Sequence, residues 1–327
     1  MIVVTGGAGF IGSNLIAALS AADHQVAIVD RFGEDAKWLN LAKHELAAVV
    51  APEDLFTFID HHAADIEMIF HMGAISATTE RDVDLILRTN FQLSLALWDW
   101  CARYQVRFVY ASSAATYGNG ENGFADDEDP GSLARLRPMN PYGWSKHLFD
   151  RRVARLVAED RPRPPQWAGL KFFNVYGPNE YHKGGQMSVV AQLQPKIANG
   201  EAAVLFKSHR AGIPDGGQRR DFIWVGDCVD VMMWLRDSPA VNGLFNVGTG
   251  QARSFADLAT AIFAAADTAP RITYVDTPEA IRDKYQYFTE ARMTRLRAAG
   301  YPGQFTPLEE GVRRYVRDFL ATDDPYR

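Results

Sequence analysis

Tyr142 and Lys146 stand four residues apart in PYGWSK, a spacing that puts both side chains on one face of a helix. A free phenol, with a pKa of about 10, is a poor base near neutrality. An ammonium beside it favours the phenolate. Such a pair can accept a hydroxyl proton while a hydride leaves the same carbon. The stretch ASSAATYG adds Ser113, whose hydroxyl can hydrogen-bond the alcohol or ketone oxygen being transformed.

A carrier for that hydride is implied at the start of the chain. Residues 5 to 12 read TGGAGFIG, with Gly6, Gly9 and Gly12 three apart. Glycines at this spacing allow a tight turn and a close backbone approach to a pyrophosphate. The helix that follows offers free N–H groups and the positive end of its dipole. Asp30 closes the next apolar run, where a carboxylate would bind an adenosine ribose. Arg31 follows at once and Lys37 lies a little beyond; cations there can receive a 2′-phosphate. Local chemistry therefore leaves NAD and NADP open, and Lys146 has the donors to hold nicotinamide-ribose hydroxyls.

These groups need strands that end together and helices that start there. Met1 to Thr5, Gln25 to Asp30, Met68 to Met72, Arg107 to Ser112 and Gly169 to Val175 read as buried strands. Helical patterns lie between them, as in parallel βαβ units. Val83 to Tyr104 reads as one long helix. Asn140-Pro141 reads as the N-cap and first position of the helix carrying Tyr142. The loop from Gly118 to Pro138, with Glu121, Asp126, Asp127, Glu128 and Asp129, reads as a solvated excursion. Beyond Tyr176-Gly177-Pro178 the segments become mixed, and Ser254 caps a further helix.

Composition narrows the class. The 327 residues are 47% hydrophobic and 23% charged, as in ordinary globular proteins, with a net charge of −6. That charge argues against nonspecific nucleic-acid binding. No apolar run reaches the ~20 residues needed to span a bilayer. No secretory leader opens the chain, so the expected location is cytoplasmic. Cys101 and Cys228 form neither a metal-ligand spacing nor a disulfide framework and read as small buried hydrophobes. No metal is expected.

TGGAGFIG, ASSAATYG and YGWSK, in this order, resemble the extended short-chain dehydrogenase/reductase family. HMGAISATTE, FFNVYGPNEYHKG, RRDFIWVGD, FNVGTG, KYQYFTEA and LRAAGY narrow the likeness to the ADP-L-glycero-D-manno-heptose 6-epimerases, over essentially the whole chain. The fold implied is α/β: a Rossmann-type doubly wound parallel sheet over residues 1 to 173, rejoined by about 221 to 250. A smaller substrate-binding domain takes 174 to 220 and 251 to 327. The resemblance implies NADP as cofactor, a nucleotide-linked heptose as substrate, a homo-oligomer and a place in lipopolysaccharide core assembly.

It also implies a second base, Lys183, opposite Tyr142 across C6 of the sugar. The reaction implied is oxidation to a 6-ketone followed by hydride return to the other face. By position, Phe10, Ile11, Asp30, Arg31, Lys37, Met72, Gly73, Ala74, Ile75, Ser76, Asn90, Lys146 and Val175 are implied to line the cofactor. Asn174, Gly185, Gln192, Phe206, Lys207, Ser208, His209, Arg220 and Tyr285 are implied to line the substrate; the guanidinium of Arg220 suits a diphosphate. The chain departs from the family pattern at Met72, Gly185 and Gln192, and in a longer stretch between Phe206 and Arg219. Those departures bear on which sugar nucleotide is bound. The alternatives are another nucleotide-sugar epimerase, such as a UDP-hexose 4-epimerase, and a non-enzymatic NADP-binding sensor.

Overall fold

Strands that are apolar at every position need cover on both faces, which a parallel sheet between two helical layers provides. The computed structural model describes residues 1–282 and 286–327. Its strands are Ile2–Thr5 (β1), Val26–Val29 (β2), Ala48–Val50 (β3), Met68–His71 (β4), Arg107–Ser113 (β5), Trp167–Phe172 (β6), Asn174–Tyr176 (β7), Ala203–Phe206 (β8), Arg219–Trp224 (β9), Gly243–Val247 (β10), Ala252–Ser254 (β11) and Ile272–Val275 (β12). A seven-stranded sheet runs in the order β10-β6-β5-β4-β1-β2-β3, every pair parallel. Chain order reverses between β1 and β4, so a crevice opens beyond their carboxyl ends.

The helices are Phe10–Ala21 (α1), Leu55–His61 (α2), Val83–Ile86 (α3), Leu93–Tyr104 (α4), Pro130–Arg135 (α5), Pro141–Ala158 (α6), Val189–Ala198 (α7), Val225–Asp237 (α8), Phe255–Ala265 (α9), Glu279–Arg282 (α10), Thr294–Ala298 (α11) and Leu308–Tyr315 (α12). On one sheet face Leu15, Ile16 and Leu19 of α1 pack with Val229, Met232 and Leu235 of α8. On the other, Leu97 and Trp98 of α4 meet Phe149 and Val153 of α6. Each such side chain contributes about 1.5–3 kcal/mol by leaving water. A third core joins Val190 and Leu193 of α7, Leu258 and Ile262 of α9, and Val312 and Tyr315 of α12. Two small sheets, β11-β9-β7 and β12-β8, lie with this part of the chain.

Several sequence expectations change here. The run 169 to 175 is two strands: β6 stays in the large sheet, and β7 pairs with β9, Asn174 opposite Phe222. The switch follows Phe173, whose N–H still reaches Val247 O at 3.0 Å. Within 221 to 250, β10 and α8 join the large sheet, while β9 belongs to a small one. The helix from Val83 to Tyr104 contains a π-turn over Leu87–Gln92. The acidic loop is a solvated excursion only in part: Glu121, Asp127 and Asp129 are exposed, but two other acids turn inward. Asp126 is 2% exposed and accepts Asn246 N at 2.8 Å, while Glu128 accepts Leu244 N and pairs with Arg295. Those carboxylates take the hydrogen-bond donors of the edge strand β10. Cys101 and Cys228 are buried free thiols, as expected.

Candidate active site

The glycine turn after β1 is fixed by backbone packing. Gly6 has φ +66°, and a Cβ there would sit 2.5 Å from Gly73 Cα; a Cβ on Gly12 would sit 2.2 Å from Gly6 O. Gly9 stands at the N-cap of α1 with no side-chain cap and no acid in the first turn. The amides of that first turn are therefore open to an anion. An uncapped helix N-terminus behind bare glycine backbone is what a dinucleotide pyrophosphate requires, so the residues present fit the cofactor.

A network behind the turn holds β1 against β4. Ser94 Oγ donates to Asn90 O at 2.7 Å and accepts from His71 Nε2 at 2.9 Å. His71 Nδ1 then accepts from Thr5 Oγ1 at 2.6 Å, and Thr5 Oγ1 accepts Gly73 N at 3.3 Å. Burial pulls His71 down to about 3, so its ring stays neutral and can play both parts. Asn90, brought inward by the π-turn, is fully buried and clamps Ile75, accepting its N–H at 2.8 Å and donating to its carbonyl at 2.9 Å.

At the end of β2, the Asp30 carboxylate accepts Ala8 N at 2.8 Å, Arg31 N at 2.7 Å and Lys37 Nζ at 2.6 Å. The Arg31 guanidinium pairs with Glu53 at the surface. Lys37 thus covers the Asp30 charge, while Arg31 sits outside the cavity wall.

The cavity, of about 940 Å³, is lined by Gly6, Gly9, Phe10, Ile11, Gly12, Asp30, Lys37, Met72, Gly73, Ala74, Ile75, Ser76, Ser113, Tyr142, Lys146, Asn174, Val175, Lys183 and Gly185. Ser113 closes β5. Helix α6 starts as its sequence requires, Asn140 Oδ1 accepting Gly143 N at 2.8 Å with Pro141 in the first turn. That start aims Tyr142 and Lys146 at the end of β5. The phenol is not acidified in this structure: burial pushes it up, a hydrogen bond with Ser113 works the other way, and the Asp150 charge pushes it further up. Desolvation of a phenolate outweighs its neighbours here. Burial also pulls Lys146 down to about 8, with Asp150 opposing.

Lys183 arrives from a different segment. Residues 178 to 183 are tied to the glycine turn by three asparagines. Asn14 Nδ2 donates to Phe10 O and Pro178 O, each at 2.9 Å. Asn40 Nδ2 reaches Ala8 O at 2.8 Å and Asn179 O at 3.1 Å, and Asn179, at φ +72°, donates to Ser13 Oγ at 3.0 Å. The Lys183 ammonium consequently lies 5.1 Å from the centroid of the Phe10 ring. Burial lowers its pKa, with buried Glu180 opposing.

The remaining expected residues sit elsewhere. Asn90 is behind the wall, as above. Gln192 is exposed on α7, donating to Met187 O at 2.6 Å. Phe206 ends β8, and Lys207 pairs with Asp276. Ser208 accepts Arg210 N at 3.2 Å, and His209 N donates to Tyr287 Oη at 2.9 Å. Arg220 is 8% exposed and stacks 5.6 Å from the Phe255 ring, which itself lines the cavity. Tyr285 lies outside the described residues. Sequence reasoning passed over Thr78, Thr79, His182, Val189, Phe222, Phe255 and Leu258, all in the wall. Phe222 follows Arg220 by two in RRDF, an aromatic beside a cation expected at the substrate, and was the signal available.

Comparisons with known proteins agree with this geometry. The sequence profile of the NAD dependent epimerase/dehydratase family matches residues 2–248. An ADP-L-glycero-D-manno-heptose-6-epimerase of Nitratidesulfovibrio vulgaris is 47% identical over 329 residues, covering 100% of both chains. The crystal structure of the Helicobacter pylori enzyme of that name superposes with a TM-score of 0.80 at 27% identity, over 98% of this chain and 96% of that one. A UDP-glucose 4-epimerase of Thermus thermophilus in complex with NAD gives a TM-score of 0.74 at 25% identity, over 98% and 99%. With a glycine cradle, a tyrosine–lysine helix and relatives alike from end to end, this chain belongs to the NAD dependent epimerase/dehydratase family, in the company of its ADP-L-glycero-D-manno-heptose-6-epimerases.

Proposed function

We propose that this protein inverts C6 of a nucleotide-linked heptose, interconverting ADP-D-glycero-D-manno-heptose and ADP-L-glycero-D-manno-heptose. The observation that carries the reading is the convergence of Ser113, Tyr142, Lys146 and Lys183 on one cavity, in a chain 47% identical to an enzyme of that name. A bound nicotinamide dinucleotide supplies the acceptor and later the donor of hydride. The chain's own residues manage the protons. Tyr142 takes the proton of the C6 hydroxyl, Ser113 hydrogen-bonds the same oxygen, and the Lys146 ammonium favours the phenolate while holding ribose hydroxyls.

The resulting 6-ketone turns about the C5–C6 bond and presents its other face. Lys183 then protonates the oxygen as hydride returns, and its burial-lowered basicity makes it a readier donor. The nucleotide end lies toward Arg220 and Phe255. We take the cofactor to be NADP, with Lys37 on the 2′-phosphate and Arg31, paired with Glu53 outside the cavity wall, turning from that partner to reach it. Lys37 already offsets the Asp30 charge that would repel it. Cytosolic, homo-oligomeric action supplying lipopolysaccharide core assembly completes the reading.

The test is incubation of purified, cofactor-loaded protein with ADP-D-glycero-D-manno-heptose, following the C6 proton by NMR. Interconversion is expected, and its absence overturns the assignment. A Lys183→Met variant that epimerises at the parental rate removes the second base.

A further inference from the structure

Beneath the catalytic face of α6 lies an ion pair to which the reaction as described gives no part. Asp150, one turn beyond Lys146 and two beyond Tyr142, meets Lys171 of β6 at 2.6 Å, and both side chains are wholly buried. Lys171 stands opposite Ser112 in the β5–β6 register. Asp150 also accepts Ser112 Oγ at 2.7 Å and Tyr110 Oη at 3.1 Å. Lys171 donates to Thr116 Oγ1 at 2.8 Å, and Thr116 Oγ1 donates in turn to Ser113 O at 2.8 Å. The ammonium is 5.0 Å from the centroid of the Tyr117 ring. Replacing a buried ion pair by apolar side chains of similar volume is often neutral or stabilising. Its position at the end of β5 therefore calls for another reason.

We propose that Lys171 is a positioning residue of the reaction: it cancels the Asp150 charge behind the catalytic helix and, through Thr116, holds the turn that sets Ser113 beside Tyr142. The proposal rests on the reading of Tyr142 as proton acceptor. Asp150 lies about 12 Å along the helix from Tyr142 and about 6 Å from Lys146. Its charge pushes the phenol up and opposes the lowering of Lys146. Left without Lys171 and kept ionised by the Ser112 and Tyr110 hydroxyls, the carboxylate would act on both at full strength.

Four titratable side chains around the pair are held in one state by burial. Tyr110 on β5 and Tyr117 after it are pushed well above the usual tyrosine value, by burial first. His147 on α6 is held near 4 by burial, and His71 on β4 near 3. Burial also raises Asp126, one of the charges acting on Tyr117, while Glu128 acts on Tyr110 and Arg137 and Arg151 act on His147. Lys146 titrates near 8, on the alkaline side. The phenol, raised in the cofactor-free protein, would be drawn down by the charge of an oxidised nicotinamide. Lys183, lowered by burial but needed protonated, acts like Lys146 on the alkaline side. The acidic limb of the kcat profile of the loaded enzyme is therefore assigned to the phenol.

The experiment compares that limb in cofactor-loaded protein, together with the Tyr142 titration read from carbon-13-labelled tyrosine rings and assigned by its loss in Tyr142→Phe. Lys171→Met is expected to move both to higher pH by about one unit, the size of the unmasked Asp150 charge about 12 Å along the helix at an effective dielectric of about 20. Asp150→Asn is expected to move both down by a similar amount. The double variant should return them to the parental position. Thr116→Val should lower kcat and leave the limb in place.

A purely structural pair predicts lost activity with an unmoved limb in every variant, and that result overturns the proposal. Should Lys171→Met fail to fold, Asp150→Asn decides alone: a downward shift supports the proposal and an unmoved titration overturns it. Full activity in Tyr142→Phe would instead remove the reading of Tyr142, while the ring titration still reports the coupling to Lys171.

Discussion

Tyr142 is where local chemistry and burial disagree. Its sequence neighbour Lys146 promises an acidified phenol, yet burial in the cleft pushes the phenol up and pulls the ammonium down to about 8. On the proposed reading, the positive charge of an oxidised nicotinamide would supply what burial withholds. Two outcomes follow. Ser113→Ala removes the hydrogen bond that favours the phenolate, so kcat should fall about 10- to 1,000-fold with KM little changed. On the proposed reading, which needs the Lys146 ammonium, activity should also decline as pH rises through about 8, where burial places its loss of a proton. Lys146→Arg should lower kcat yet remove the part of that alkaline decline that Lys146 sets, since a guanidinium keeps its charge, leaving the part set by Lys183; a pH–rate profile of both proteins checks it.

Elements bring these groups together through backbone details that no single residue advertises. The π-turn in the helical stretch after Asp82 rotates Asn90 inward onto the backbone of Ile75, in keeping with such turns at functional sites. Asn90→Leu strands the Ile75 N–H and carbonyl. The expected cost is about 1–3 kcal/mol in a urea melt, with weaker retention of the dinucleotide. The turn after β1 is equally unforgiving. Gly12→Ala sets a methyl against Gly6 O and should cost about 1–3 kcal/mol as overpacking. A parental denaturation midpoint in that variant would contradict the close approach. Asn140 before Pro141, by contrast, was legible, because a cap is a local contract between neighbours in sequence.

For the molecule as a whole, the cofactor cleft is assembled from β1, β2, β4, β5, α6 and the segment after β7. A dinucleotide that bridges so many parts should stabilise the fold by mass action, raising Tm with concentration. NADP should do so more strongly than NAD. Arg31→Ala with Lys37→Ala should close most of that gap without abolishing the effect of NAD; equal responses in the unaltered protein would instead assign NAD.

Sequence alone determined the parallel sheet, the glycine turn, the cap of α6 and the grouping of Tyr142, Lys146 and Ser113. These depend on periodicity, turn chemistry or residues close together along the chain, except Ser113, which joined Tyr142 because it ends a strand. The tertiary structure decided what depends on distant partners. It split residues 169 to 175 between two sheets, set the acidic loop against β10, and put Asn90 behind the wall instead of in it. It also joined Lys171 to Asp150 across a strand and a helix. Burial and long-range hydrogen bonding set those outcomes, and neither is a property of a short stretch of chain.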